Sequence, residues 1–343
     1  MRRGRVLGAL LLVFLLLAGG VLYLRYLWQS PASQDAEPRL VTIPSGSSLR
    51  QIAAILERER IIRAPALFRW LAYYRGVDRS LKAGEYRLSA RMSPEEILRE
   101  LSEGHVVEHS VTIPEGSDIR AIARTLEDRG MARAEEVMEL AFSLAFARSL
   151  GVEASSLEGY LFPDTYRFPK GVEAGRILAK MVSTLKRAYT PAMAERAKAL
   201  GLSRHEVLTL ASLIEKETSL DKERPLVSAV YHNRLRRGMR LQSDPTVIYA
   251  IEDFDGNLTK EHLAIDSPYN TYLYPGLPPG PITNPGLSSI RAALYPARVD
   301  YLYFVSRKDG SHHFSRTLAE HNAAVARYQL GGRKREAKRP KKP

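Results

Sequence analysis

Val41–Glu57 reads VTIPSGSSLRQIAAILE, and Val111–Glu127 reads VTIPEGSDIRAIARTLE. The stretches are offset by 70 residues and match at eleven of seventeen positions. Each opens with a short β-type run and turns at Pro-x-Gly. A serine able to cap a helix follows, and then apolar residues at helical spacing. In the first copy those are Leu49, Ile52, Ala53 and Leu56. A strand–turn–helix written twice predicts an α+β fold. Between the copies, Leu67–Tyr74 reads as a helix and Gly84–Leu88 as a strand. Ser93-Pro94-Glu95-Glu96 supplies an N-cap, a proline at N1 and a glutamate at N3, opening a helix through Leu101. A small α+β subdomain is therefore expected over residues 39–110.

The second copy opens a larger mixed α+β domain, expected over residues 111–330. Ala134–Leu220 is mainly helical in pattern, with a loop at Glu158–Lys170. From Gln242 the sequence is rich in loop formers. Tyr301–Ser306 reads as a strand, His312-His313 as part of a hairpin near Gly310, and Thr317–Leu330 as a closing helix.

The ends carry different signals. Val6–Leu24 is 19 residues without a charge, preceded by Arg2, Arg3 and Arg5. At about 1.5 Å rise this nearly spans a hydrocarbon core of about 30 Å. Residues 1–28 are therefore expected to be a cytoplasmic tip and a transmembrane helix, with the rest of the chain outside. Tyr23, Tyr26 and Trp28 fit an aromatic belt at its outer end. The rival is a cleaved signal peptide, against which stand the length of the run and the lack of an A-x-A site. Residues 29–38 (QSPASQDAEP) read as a linker. The net charge of +13 is concentrated at the ends: residues 331–343 contribute +6 and the N-terminal arginines +3. The body is left at about +4, so no nucleic-acid partner is expected, and residues 331–343 read as a disordered basic tail. There are no cysteines, which excludes disulfides and thiolate chemistry.

The chemistry is sought in Ser203–Thr218, SRHEVLTLASLIEKET. Ser203 and Glu206 form a capping box, and Val207, Leu208, Leu210, Ala211, Leu213 and Ile214 make the buried stripe. Ile214, Leu213 and Leu210 lie three, four and seven residues before Glu217, whereas Glu215 has Ser212 and Ala211 above it. Glu217 is thus placed near large apolar side chains and Glu215 in solvent. A desolvated carboxyl has a raised pKa, as a general acid requires. The plainer reading is an exposed E-K-E helix end. Further on, Asn233, Gln242-Ser243-Asp244 and Tyr269-Asn270-Thr271 bring amides, hydroxyls and an aromatic face onto loops, the chemistry of a carbohydrate groove. Turn formation alone would also account for many of them.

No zinc, Walker, dinucleotide or nucleophile-elbow motif occurs, so no metal or cofactor is expected. The strings ASLIEKET, HNRLRRGMRLQSDPTVIYA, SPYNTY, GLPPGPITNPG, DYLYFVSRKDGSHHFSRTLAEHN and EGYLFPDTY are similar, in register and order, to the endolytic murein transglycosylases of the YceG-like family. The first repeat copy resembles the opening of a LysM module, a glycan-binding fold. Alternatively, the two copies merely share good turn and cap chemistry.

The family resemblance implies that Glu217, the second glutamate of E-K-E, is the catalytic acid/base, and that Gln242–Asp244 and Tyr269–Thr271 border the cleft. It implies a lyase that cuts the MurNAc–GlcNAc bond of peptidoglycan strands and leaves 1,6-anhydro-MurNAc ends. Its place would be the inner membrane, facing the periplasm, beside the peptidoglycan synthesis machinery. Two alternatives remain open: a hydrolytic muramidase, with Asp244, Asp164 or Glu158 as second carboxyl, and a non-catalytic peptidoglycan-binding scaffold.

Overall fold

Among the described residues, helices that are mostly short alternate with three two-stranded sheets. The computed structural model describes residues 2–34 and 37–330. They divide into two units. The N-terminal unit holds the chain up to His109 together with Arg167–Gly171, and the C-terminal unit holds Ser110–Tyr166 and the chain from Val172 onward.

The N-terminal unit begins with α1 (Arg2–Gln29), of which Leu10–Gln29 is long and apolar enough to cross a membrane. Then come β1 (Arg39–Ile43), α2 (Leu49–Arg58), α3 (Pro65–Tyr74), β2 (Gly84–Leu88) and α4 (Pro94–Glu103). Capping boxes fix two helix starts, Ser48 with Gln51 at α2 and Ser93 with Glu96 at α4. The strands pair antiparallel, with Val41 opposite Tyr86. Ile52 and Leu56 of α2, Phe68 and Leu71 of α3, and Ile97 and Leu101 of α4 close over Val41, Ile43, Tyr86 and Leu88. Full burial of each such side chain contributes about 1.5–3 kcal/mol. The segment after α1, a linker by composition, is tied to this unit. The Ser33 amide donates to the Ala90 carbonyl at 2.9 Å, and Arg91 Nε donates to the Gln34 carbonyl at 2.6 Å.

The second repeat copy supplies β3 (Glu108–Thr112) and α5 (Ile119–Asp128). Here Asp118, not a serine, is the cap, accepting from the Ala121 amide at 2.7 Å. Ser117 instead turns back to the Pro114 carbonyl. Next are α6 (Ala134–Ala141), α7 (Leu144–Ser149) and β4 (Thr165–Pro169), the partner of β3. The strand β4 lies in the Glu158–Lys170 stretch, whose composition predicts a loop. Its turn residues hid the alternation that buries Tyr166 and Phe168 and exposes Thr165 and Arg167.

The helices α8 (Ala174–Ala188), α9 (Pro191–Ala199), α10 (Arg204–Glu217) and α11 (Arg224–Arg236) follow. After them come α12 (Asp244–Tyr249), α13 (Leu287–Leu294), the hairpin β5 (Tyr303–Ser306) and β6 (His312–Ser315), and α14 (Leu318–Val325), which runs into a π-turn at Ala326–Leu330. The loop expected at Gln242-Ser243-Asp244 thus gives way to a helix at Asp244, where Pro245 preorganises the first turn. The α10 helix is buried on every side from Val207 to Ile214, so it is a central helix and not a striped surface one. It packs against α9, α11, α12 and α13. Its two hydroxyls are satisfied: Thr209 donates to the His205 carbonyl, and Ser212 donates to Thr209 and accepts from the Ile282 amide. The basic tail at 331–343 lies outside the described residues.

Candidate active site

Because α10 is central, its last residue emerges at the floor of a cleft. Glu217, Arg234, Leu241, Gln242, Asp244, Tyr272, Phe304 and His312 are among the residues lining a volume of about 370 Å³. Glu217 Oε1 accepts two hydrogen bonds, from the Tyr231 hydroxyl at 2.6 Å and from the Ser243 hydroxyl at 2.5 Å. Among the described residues no hydrogen bond reaches Oε2. Burial raises the Glu217 pKa above the usual carboxylate value. The two hydroxyl donors oppose that shift, the charge of Asp244 adds to it, and His312 opposes it more weakly. One oxygen is therefore fixed while the other is left to exchange a proton.

The donors are held in turn. Tyr231 is buried on α11 and meets Phe304 edge-on. Ser243 is buried, and its amide donates to Thr271 Oγ1 at 3.0 Å. Gln242, just before it, has a φ of 50°, a left-handed conformation rare for a residue with a side chain. Its amide donates to the Thr271 carbonyl, and Arg234 Nη1 donates to its side-chain oxygen at 3.3 Å. Strain of this kind persists where the surroundings over-determine it. The cleft's other carboxylate, Asp244, accepts from the Tyr272 hydroxyl at 2.5 Å. Opposite, His312 Nδ1 lies 2.8 Å from Glu223 Oε2, and the His312 amide donates to Glu223 Oε1 at 3.1 Å.

The structure brings Glu217, Gln242, Ser243 and Asp244 together at this cleft. It uses the other expected residues differently. Asn233 donates both its bonds inward, to the Val299 and Tyr301 carbonyls, steadying the approach to β5. Asn270 donates to the Leu263 and Ile265 carbonyls. Thr271 holds the Gln242–Ser243 turn. Tyr269 packs against Tyr249 at 5.0 Å and is not among the residues lining the cleft. Of the carboxyls weighed as second acids, Asp244 lines the cleft. Asp164 caps its own neighbour's amide, and Glu158 is buried, bonded by Ile119, Tyr249 and Asn284.

Glu215 is not solvated. Expected in solvent, its side chain is only 6% exposed. Arg224 Nη2 lies 3.2 Å from its Oε1, and the Gly286 amide donates to its Oε2 at 2.9 Å. Small neighbours on its own helix made room for partners from other elements. Arg234, Tyr272, Phe304 and His312 lie within the strings that carry the family resemblance, but neither they nor Tyr231 and Glu223 stood out as one site, since their meeting depends on how α11 and the β5–β6 hairpin pack. Among the described residues no group of His, Asp and Glu is arranged to hold a metal ion.

The model of the YceG-like family matches residues 41–327. An endolytic murein transglycosylase of Bacillus subtilis (strain 168) is 34% identical over 330 residues, spanning 92% of this chain and 91% of its own. One from Streptococcus pneumoniae (serotype 2, strain D39) is 31% identical over 358 residues, spanning 94% of this chain and 65% of that longer protein. The crystal structure of a YceG-like protein from Listeria monocytogenes is 37% identical with a TM-score of 0.59, covering 84% of this chain and 98% of that one.

Proposed function

The chain belongs to the YceG-like family, and from that premise we propose that it is an endolytic peptidoglycan lytic transglycosylase with Glu217 as acid and then base. Protonated at Oε2, Glu217 gives its proton to the oxygen bridging N-acetylmuramic acid and N-acetylglucosamine, and the C1–O bond breaks with positive charge developing at C1. The carboxylate left behind takes the proton of the muramic C6 hydroxyl. That oxygen closes on C1, giving the 1,6-anhydro end and restoring the acid. No water is consumed and one carboxyl suffices. Tyr231 and Ser243 position it by holding Oε1. Gln242 and Asp244 border the sugar, and Phe304 offers a ring face.

The observation that carries this reading is the doubly held, desolvated Glu217 at the cleft floor. Mass spectrometry of products from purified glycan strands tests it. Anhydro ends support the lyase, reducing ends the muramidase, and unaltered strands a binding scaffold. The muramidase stands second because Asp244 lines the same cleft.

The remainder of the proposal concerns placement. The apolar helix ending at Gln29 anchors the chain in the cell membrane with residues 39–330 outside, where nascent peptidoglycan and its synthesis machinery lie. Residues 39–110 act as a LysM-like glycan-holding subdomain ahead of a catalytic domain at 111–330. The strand–helix–helix–strand order of β1, α2, α3 and β2, with its antiparallel pair, supports that assignment.

A further inference from the structure

Helix α3 has a second face that its core role leaves unexplained. Phe68, Leu71 and Ala72 point into the N-terminal unit. Trp70, Tyr73 and Tyr74, related by helical spacings of three and four, are 48%, 63% and 65% exposed. Three large aromatics on one exposed helix face are more than scattered surface residues. This face is continuous with the end of α1. The Trp28 ring stacks on Trp70 at 5.1 Å and meets Tyr74 at 5.3 Å, and Trp70 stacks on Tyr74 at 5.7 Å.

That contact fixes a depth. The last uncharged residue of the apolar run is Leu24, and Trp28 lies four residues beyond it, about 6 Å along a helix. The headgroup layer on each side of a bilayer is roughly as thick. A ring stacked on Trp28 sits at Trp28's depth. The segment after α1 leaves little freedom to swing away, because Ser33 and Gln34 are bonded to Ala90 and Arg91.

We propose that the Trp70–Tyr73–Tyr74 face of α3 seats the N-terminal unit in the lipid headgroup layer beside the anchor, as a second, peripheral membrane contact. Tryptophan and tyrosine suit this layer, since each has an apolar body and a polar edge. The contact would hold the N-terminal unit against the membrane surface. The proposal rests on the reading of α1 as an anchor.

The chain has only two tryptophans, Trp28 and Trp70, so each can be made the sole indole emitter. Full-length Trp28→Phe and Trp70→Phe variants are reconstituted into phosphatidylcholine–phosphatidylglycerol vesicles carrying bromines on the acyl chain next to the headgroup. Both indoles are expected to be quenched to a comparable fraction. Adding Tyr73→Ser and Tyr74→Ser, at exposed positions, should relieve quenching of Trp70 while leaving that of Trp28. Quenching of Trp28 with none of Trp70 would overturn the docking and keep the anchor. Quenching of neither would remove the anchor reading, and the docking with it. A Trp70 silent to lipid but shifted in emission by soluble glycan strands would assign the face to glycan and overturn the proposal.

Discussion

Glu217 differs from an ordinary helix-end glutamate by its surroundings, and those surroundings can be varied one atom at a time. Tyr231→Phe and Ser243→Ala each delete a donor to Oε1. Donors to a carboxylate favour its ionised form, so their loss raises the Glu217 pKa further. On the proposed mechanism the first chemical step needs the protonated acid. Activity therefore falls as pH rises through that pKa, and this alkaline limb should move to higher pH in both variants. Hydrogen bonds to charged groups are worth about 1.5–3 kcal/mol, so poorer positioning should also cost roughly 10- to 100-fold in kcat. A limb that stays still or moves down would contradict the role given to these hydroxyls. Glu217 was legible in the sequence because its apolar neighbours Ile214, Leu213 and Leu210 belong to its own helix. Its donors lie 14 and 26 residues away, and no periodicity reports them. Glu215 was misjudged for the same reason: its partners Arg224 and Gly286 are 9 and 71 residues distant.

Two predictions belong to the elements that carry the site. Arg224, at the start of α11, ties the end of α10 in place through Glu215 and also faces Glu115 at 3.8 Å. Arg224→Met leaves a buried carboxylate unpaired, and chemical denaturation should show a loss of about 3–5 kcal/mol. A loss below about 1 kcal/mol would show that the pair is dispensable. The second concerns Glu158, which accepts from the Ile119 amide at the start of α5, from Tyr249 and from Asn284. Burial pushes its pKa up from 4.5 to about 8. The folded form therefore holds a proton that the unfolded chain has released. Its stabilising contribution is complete below pH 4.5 and is lost as pH rises to about 8, with a slope of at most about 1.4 kcal/mol per pH unit. Glu158→Gln should flatten this slope while lowering stability at pH 5, because the amide cannot accept from all three donors. An unchanged slope would show that Glu158 is ionised in the fold. Local capping made the elements themselves readable: Ser48, Ser93 and Ser203 are N-caps as their sequences require. The strand β4 was not readable, since its pairing with β3 is distant in sequence.

At the scale of the whole molecule, anchoring and chemistry should separate. A chain lacking residues 1–28 is expected to leave the membrane fraction and keep its bond specificity on isolated glycan strands. Loss of specificity in that folded form would mean that the anchor takes part in the reaction. The strand–turn–helix of each repeat copy was visible in the sequence, because each copy carries its own turn and cap. The cleft was not visible as a whole. Its walls come from α10, α11, α12 and the β5–β6 hairpin, and several polar residues that seemed free for sugar hold loops instead, Asn270 and Asn233 among them. On the proposed mechanism one carboxyl, Glu217, both gives and takes the proton. Its most direct test is the yield of anhydro-muropeptides from glycan strands digested by the wild type, Glu217→Gln and Asp244→Asn at matched thermal stability. Anhydro ends are expected from the wild type, with a loss of roughly 10²–10⁴ or more in Glu217→Gln and anhydro ends still formed by Asp244→Asn. Anhydro ends persisting at the wild-type rate in Glu217→Gln, or abolished only in Asp244→Asn, would contradict that mechanism.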